Sequence, residues 1–157
     1  MNNTDAKQLS LALTAPFPPD CVHWKPLAVR GNRALAAAYL DARAIMQRLD
    51  SVFGVGRWKD SYQPVAGGSV VCTLSVKVDG EWVEKTDVGS PSDQPDDGDK
   101  LKSAFSDSLK RAACKLGIAR YLYRLPRQWV DYDPQTKQFK QTPQLPSWAL
   151  PAVKQSA

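Results

Sequence analysis

The clearest structural pattern in the chain lies in residues 58–89, which read WKDSYQPVAGGSVVCTLSVKVDGEWVEKTDVG. Apolar residues alternate with polar ones through its middle, as they do on one face of a strand. These apolar residues are Val70, Cys72, Leu74, Val76 and Val78. The pair Asp79-Gly80 is a strong signal for a two-residue hairpin turn. We therefore predict three antiparallel strands, at about Trp58–Val65, Ser69–Val78 and Glu81–Val88.

A helix is predicted on each side of these strands. The first runs from about Asn32, its N-cap, to Phe53, because apolar residues recur there at spacings of three and four. The second runs from about Gly98 to Leu116 and ends at Gly117. The predicted class is α+β, an antiparallel three-stranded meander flanked by two helices in the order α-β-β-β-α. We expect the helices to cover one face of the sheet.

The remaining segments set the predicted domain boundaries. Residues 1–24 are predicted to form an irregular N-terminal arm, because the run Pro16-Phe17-Pro18-Pro19 resists regular structure. Residues 25–133 form the predicted domain, and residues 134–157 a Pro-rich C-terminal linker or tail. The Gly-, Pro- and Asp-rich residues 89–99 are predicted to be a mobile loop.

Composition narrows the class of protein. The chain has 157 residues, 43% of them hydrophobic, which suits one folded domain. No apolar run approaches ~18 residues, and the N-terminus carries no apolar signal segment. The three cysteines, Cys21, Cys72 and Cys114, form no Cys-x-x-Cys pair, which argues against a disulfide scaffold or a structural zinc site. We therefore expect a cytoplasmic protein.

Charge is segregated along the chain. Residues 25–59 carry seven basic and two acidic side chains. Residues 100–127 carry eight basic side chains and one acidic side chain. Between them, residues 60–99 carry nine acidic and two basic side chains. If the fold brings the two basic segments together, they form a cationic face suited to a polyanion. The alternative is that the acidic segment neutralises them, within the fold or between subunits.

The second helix carries the most informative cations. Lys110 lies about 180° around the helix from the apolar Leu101, so it should be able to meet a ligand. The plainer alternative for Lys110 is a solvated lysine. Arg111 follows Asp107 by one turn, and its plainer alternative is an ion pair worth only ~0.3–0.5 kcal/mol.

Residues 118–133, IARYLYRLPRQWVDYD, interleave cations with aromatic side chains. Cations can hold phosphates while aromatic faces stack on bases, a combination typical of proteins that bind single-stranded nucleic acid. The alternative is that Tyr121, Leu122 and Trp129 belong to the core, with the arginines directed outward.

Two stretches resemble one known family. Residues 101–126, LKSAFSDSLKRAACKLGIARYLYRLP, are similar to the signature helix of the Rad52 family of single-strand annealing proteins, especially its bacterial DdrA (DNA damage response protein A) branch. Residues 39–58, YLDARAIMQRLDSVFGVGRW, resemble the family's first helix and the turn after it. The triplet Asp-Val-Gly at 87–89 lies between these two stretches, in the order expected for the family. The resemblance covers roughly residues 25–130.

The resemblance implies a site. Family members form rings whose outer groove holds single-stranded DNA by its backbone, and Lys110 and Arg111 match groove-lining cations. At two positions where the family has a groove arginine, this chain has Ala44 and Cys114. The basic residues next to these two positions are weaker candidates. These neighbours are Arg43 and Lys115. Three further candidates are chosen from charge alone, namely Lys59, Lys102 and Arg120.

The predicted function is ATP-independent binding of single-stranded DNA, with annealing of complementary strands or protection of DNA ends in double-strand-break repair. We expect a homo-oligomeric ring, no cofactor and no catalytic residue, and the nucleotide-binding pattern Gly-x₄-Gly-Lys-Ser/Thr is missing. One alternative is an oligomeric protein-interaction scaffold. A less favoured one is a metal-dependent nuclease that uses the acidic loop residues Asp93, Asp96, Asp97 and Asp99.

Overall fold

The computed structural model describes residues 2–93 and 95–152 and confirms the α+β class. This part of the chain contains three helices and two antiparallel sheets. The helices are α1 (Asn3–Thr14), α2 (Ala42–Phe53) and α3 (Asp97–Cys114). The strands are β1 (His23–Arg30), β2 (Arg33–Tyr39), β3 (Trp58–Pro64), β4 (Val70–Val78), β5 (Glu81–Gly89), β6 (Gln128–Asp133) and β7 (Gln138–Phe139).

The chain divides into two compact units. The first combines the residues up to Ala15 with residues 41–120, and it holds the three helices and the sheet β3-β4-β5. The second combines residues 16–40 with the chain from Tyr121 onward, and it holds the sheet β1-β2-β6-β7. The predicted order α-β-β-β-α therefore describes only the middle of the chain.

The three predicted strands form the sheet of the first unit. Each begins and ends within one residue of its predicted bounds, and β4 pairs with both neighbours. Helix α3 packs along β4 and β5, and α2 packs against α3. Val70, Cys72, Leu74 and Val76 of β4 are buried, as the alternation predicted. Ile45 and Leu49 of α2 are buried as well.

Gly89, the last residue of β5, marks a very close approach of a strand to a helix. A Cβ atom at this position would lie 2.3 Å from the backbone nitrogen of Ser108 and 2.4 Å from the carbonyl oxygen of Ala104. Both atoms belong to the backbone of α3, so neither can move aside as a flexible side chain would. Glycine at this position therefore sets how closely α3 lies on the sheet.

The prediction of one long helix from Asn32 to Phe53 was wrong in its first half. Residues 33–39 form β2, which pairs with β1 on one side and with β6 on the other. Gly31 and Asn32 form the turn between β1 and β2, with Gly31 at φ 58°. Helix α2 starts later, where the Asp41 side chain accepts a hydrogen bond from the backbone N–H of Ala44 at 2.8 Å. Strand pairing has overridden the helix propensity of the alanine-rich segment.

The N-terminal arm predicted as irregular contains α1. Asn2 caps this helix by accepting a hydrogen bond from the N–H of Asp5, and Leu13 is buried. The guanidinium of Arg48 on α2 donates to the carbonyl oxygens of Ala12 and Ala15 at 3.0 and 2.8 Å. Because a helix leaves its last carbonyls without helical partners, this cation stabilises the end of α1.

Two segments predicted as a loop and a linker are more ordered than expected. In the loop at residues 89–99, the N–H of Ser90 donates to Asp107 at 3.2 Å and that of Ser92 to Ser103 Oγ at 2.7 Å. Both acceptors lie on α3, so the start of the loop is held against the helix. In the predicted linker, β7 pairs with β6 and Ala149 is buried. Residues 153–157 of the predicted linker lie outside the described part of the chain.

The basic and aromatic segment lies mostly in the second unit. Tyr121, Leu122 and Trp129 are half-buried and not fully buried, so they meet the core alternative only in part, whereas Tyr123 is 74% exposed. The Tyr121 hydroxyl accepts a hydrogen bond from the N–H of Phe17 at 3.0 Å. The Arg30 guanidinium lies 5.1 Å from the centre of the Trp129 ring, a cation–π contact. These aromatic side chains therefore help to build the second unit.

Candidate nucleic-acid interface

Two cations at the C-terminal end of α3, one in its last turn and the other at its C-cap, share one carboxylate on β5. Arg111 Nε lies 3.3 Å from Asp87 Oδ1, and Lys115 Nζ lies 3.4 Å from Asp87 Oδ2. Arg111 and Lys115 are one helical turn apart, so both project from the face of α3 that meets β5. The Lys115 ammonium also donates to the carbonyl oxygen of Thr86. We call Asp87, Arg111 and Lys115 the α3 cation cluster.

Burial differs sharply within the α3 cation cluster. The side chains of Arg111 and Lys115 are 45% and 48% exposed, whereas that of Asp87 is 17% exposed. The carboxylate therefore lies beneath the two cations and away from solvent. Two positive charges above one negative charge leave a net positive surface, which is the sign that a phosphate backbone requires.

The environment of Asp87 favours its ionised form. Partial burial acts to raise the pKa of this carboxyl group. The hydrogen bond from the N–H of Val88 and the charges of Arg111 and Lys115 act in the opposite direction and prevail, so the pKa of Asp87 lies below its ordinary value. Asp87 is therefore ionised at neutral pH, where Arg111 and Lys115 are also charged.

This lowered pKa predicts a pH dependence of stability. An acid with a lower pKa in the folded state stabilises that state above its unfolded pKa of about 3.9, and the effect disappears as pH falls through the folded pKa. Asp87→Asn removes the titration. We therefore expect the difference in free energy of unfolding between wild type and Asp87→Asn to be steady from about pH 7 to 5 and to shrink towards about pH 3. Urea unfolding across this range measures it, and a difference that grows on acidification would contradict the assignment.

Arg120 stabilises the end of α3 that carries the α3 cation cluster. Its Nε donates to the carbonyl oxygen of Cys114 and its Nη2 to that of Lys115, both at 2.9 Å. The Cys114 carbonyl also accepts the N–H of Gly117 at 3.0 Å, and the Arg120 guanidinium adds a charged donor to it and to the Lys115 carbonyl, so Arg120 caps the C-terminus. Gly117, at φ 103°, makes the reversal of the chain that brings Arg120 back to the helix. The structure thus places Arg120, chosen from charge alone, next to Lys115.

The contact between Arg120 and the Cys114 carbonyl lies at a position where this chain lacks an arginine of the family. The resemblance places a groove arginine of the family at Cys114, whose side chain here is half-buried. Arg120 brings a guanidinium to the carbonyl oxygen of that same residue. A cation is therefore present at this turn, although it comes from six positions further along the chain.

Lys110 also lies on the C-terminal half of α3, but on a different side of the helix. Successive residues are about 100° apart, so Lys110 is turned away from the face on which Arg111 meets β5. The position opposite Leu101 does not make Lys110 outward-facing, because Leu101 is itself 45% exposed, and the Lys110 side chain is half-buried rather than fully solvated. Lys110 and Arg111 therefore present charge in two directions around the same turn.

Three other predicted cations lie elsewhere in the first unit. Arg43 is exposed on the first turn of α2. Lys102 lies near the start of α3, about 12 Å along the axis from Lys110, and pairs with Asp99 at 3.1 Å. Lys59 lies on the sheet face opposite α3, with its ammonium 4.6 Å from the centre of the Trp82 ring. Neither Lys102 nor Lys59 joins the α3 cation cluster.

Sequence reasoning missed the part played by Asp87. It suggested Asp107 as the ion-pair partner of Arg111, but the structure pairs Arg111 with Asp87, and Asp107 instead accepts the N–H of Ser90. Asp87 pairs with the buried Cys72 across the sheet, which places it on the helix-facing side of β5. A charged residue at such a position was the available signal, but it required the strand register.

The acidic loop proposed for a nuclease has other contacts. The Asp96 side chain accepts the N–H of Asp99 at 3.0 Å and thereby caps α3. Asp97 pairs with Lys100 at 3.0 Å. Across residues 2–93 and 95–152, no three His, Cys, Asp or Glu side chains come together as a group that could hold a metal ion.

No helix in the described part of the chain has both the length and the apolar character needed to cross a membrane.

Two curated proteins are similar to most of this chain. The chain is 40% identical over 143 residues to the single-stranded DNA-binding protein DdrA of Deinococcus radiodurans, an alignment that covers 88% of this chain and 66% of that protein. It is 38% identical over 143 residues to the single-stranded DNA-binding protein DdrA of Deinococcus deserti, an alignment that covers 88% of this chain and 68% of that protein. The chain thus spans about two-thirds of the length of these curated relatives.

A family model matches most of the chain as well. Residues 5–141 match the model of the Rad52/22 family double-strand break repair proteins. This match extends beyond the residues on which the resemblance was first seen, and it confirms that resemblance. The chain belongs to the Rad52/22 family of double-strand break repair proteins.

Proposed function

We propose that this protein binds single-stranded DNA by its sugar–phosphate backbone and anneals complementary strands without ATP. The observation that carries the proposal is the set of cations at the C-terminal end of α3, in a chain related to proteins named for single-stranded DNA binding. Lys110, Arg111, Lys115 and Arg120 all belong to this end of the helix. Arg43 on α2 is a candidate for extending the path of the strand.

Annealing makes and breaks no covalent bond, so it requires neither a catalytic base nor a cofactor. It requires contacts that neutralise phosphates without reading bases, because the bases must remain available for pairing. Arginine and lysine at a helix end supply such contacts. This agreement between chemistry and side chains favours a binding and annealing role over a nuclease.

We further propose that several copies act together as a homo-oligomeric ring. Contacts from one protomer to a few phosphates are weak, but copies along one strand convert them into tight binding through multivalency. The first unit offers β3 and β5 as the outer strands of its sheet, and outer strands carry backbone groups that can pair with a neighbour. With DNA as its partner, the protein would act in the cytoplasm at the nucleoid.

Fluorescence anisotropy with labelled oligonucleotides tests the binding step. We expect the affinity for unstructured single strands to change little with base sequence and to fall steeply with salt, with log K decreasing by roughly 0.7 per phosphate neutralised for each unit of log salt. Oligonucleotides of equal length but different composition serve as matched probes. A strong preference for one sequence, or an affinity that does not respond to salt, would contradict backbone binding. Absence of any binding would favour the protein-interaction scaffold.

A further inference from the structure

Asp87 has more contacts than a simple ion-pair partner needs. One carboxylate oxygen faces Arg111 at 3.3 Å and the other faces Lys115 at 3.4 Å. The carboxylate is itself held in place, because Oδ1 also accepts the N–H of Val88 at 2.8 Å. Lys115 is tied to the same strand a second time through the carbonyl oxygen of Thr86. Both cations are thus held against β5 by contacts on the side that faces away from solvent.

The geometry leaves the cations able to act on a ligand. Arg111 uses Nε towards Asp87, and its other N–H donors lie on the terminal nitrogens of the guanidinium. Arg111 and Lys115 are each close to half exposed, while Asp87 is largely covered. A phosphate arriving from solvent therefore meets two cations whose positions are already fixed. Such preorganisation spares the cost of ordering long side chains on binding.

We propose that Asp87 is a positioning residue of the DNA-binding surface, which holds Arg111 and Lys115 in the arrangement that receives the phosphate backbone. This inference deepens the proposed function and rests on it. It makes an acidic residue favourable for binding a polyanion. Bulk electrostatics predicts the opposite, because removing a negative charge beside a cationic surface should strengthen the binding of DNA.

The sign of the effect therefore distinguishes the two accounts. Asp87→Asn keeps the size of the side chain and removes its charge. We expect it to weaken binding of a single-stranded oligonucleotide roughly 3- to 10-fold, because two cations lose their anchor. The matched control is Asp107→Asn, which removes the same charge from α3 one turn before Arg111. We expect the control to bind within about twofold of wild type, or more tightly.

A second variant separates position from charge. Asp87→Glu keeps the negative charge and moves the carboxylate outward by one methylene group. The positioning account predicts weaker binding for this variant too, whereas an account based on net charge predicts no change. This variant also keeps the proposal testable if Asp87→Asn fails to fold, and thermal unfolding of each variant checks the fold.

A double-mutant cycle shows whether Asp87 acts through its partners. In a chain that already carries Arg111→Ala and Lys115→Ala, we expect Asp87→Asn to cause no further loss of affinity. An equal loss in both backgrounds would indicate a general structural effect and would overturn the proposal. So would wild-type or tighter binding by Asp87→Asn or Asp87→Glu. If wild type itself fails to bind single-stranded DNA, the proposed function falls and this inference with it, an outcome distinct from failure of the variants alone.

Discussion

Replacement of Lys110 and Arg111 together by alanine is expected to weaken single-stranded DNA binding roughly 10- to 100-fold, a loss of about 1.4–2.8 kcal/mol. The two side chains present charge in two directions around one turn of α3, and charged donors bind phosphate oxygens strongly. The domain should still fold, because alanine favours helix and neither residue belongs to the apolar core. Fluorescence anisotropy measures the affinity, and circular dichroism checks the fold.

The control for this variant removes an equal charge elsewhere. Lys7 on α1 and Lys140 near the C-terminus are exposed, and we expect Lys7→Ala with Lys140→Ala to bind within about twofold of wild type. A difference between the two double variants shows that position matters and not only net charge. If the Lys110 and Arg111 variant binds as wild type does, the assignment of these residues is wrong.

Gly89→Ala is expected to destabilise the protein by about 3 kcal/mol or more, at the upper end of the range for overpacking. The added methyl group would lie 2.3 Å from the backbone nitrogen of Ser108 and 2.4 Å from the carbonyl oxygen of Ala104. Relief requires α3 to move away from β5, which would also separate Arg111 and Lys115 from Asp87. Urea unfolding followed by circular dichroism measures the loss.

Gly56→Ala is the matched control for the variant at Gly89. No atom lies within 4 Å of a Cβ built at Gly56, so alanine fits there. By reducing the freedom of the unfolded chain, it should leave stability unchanged or raise it by up to about 1 kcal/mol. If Gly89→Ala unfolds at the same urea concentration as wild type, the close approach of β5 to α3 is not as described.

Local patterns were enough to predict the first unit's sheet and α3. The alternation in β4 and the turn at Asp79-Gly80 act between neighbours in sequence, so they can be read without the fold. The segment that became β2 could not be assigned in this way. Its alanines suit a helix as well as a strand, and its pairing with β1 and with β6, the latter about 95 residues later, decides between them.

The candidate site was predicted in part. The resemblance supplied Lys110, Arg111 and, more weakly, Lys115, and charge alone supplied Arg120. The structure places these four cations at the same end of α3. Lys59 was chosen from charge, but its pairing with Ser75 places it on the sheet face away from α3. The part played by Asp87 depends on strand register and on the packing of α3. Neither can be obtained from the spacing of residues along the chain.

The central claim is that the protein brings complementary single strands together by holding their backbones. Annealing of two complementary oligonucleotides, one carrying a fluorophore and the other a quencher, tests it directly in EDTA and without nucleotide. We predict that wild type accelerates annealing at modest ionic strength, and that the Lys110 and Arg111 double variant does so far less. A wild-type rate equal to that of the oligonucleotides alone would contradict the account.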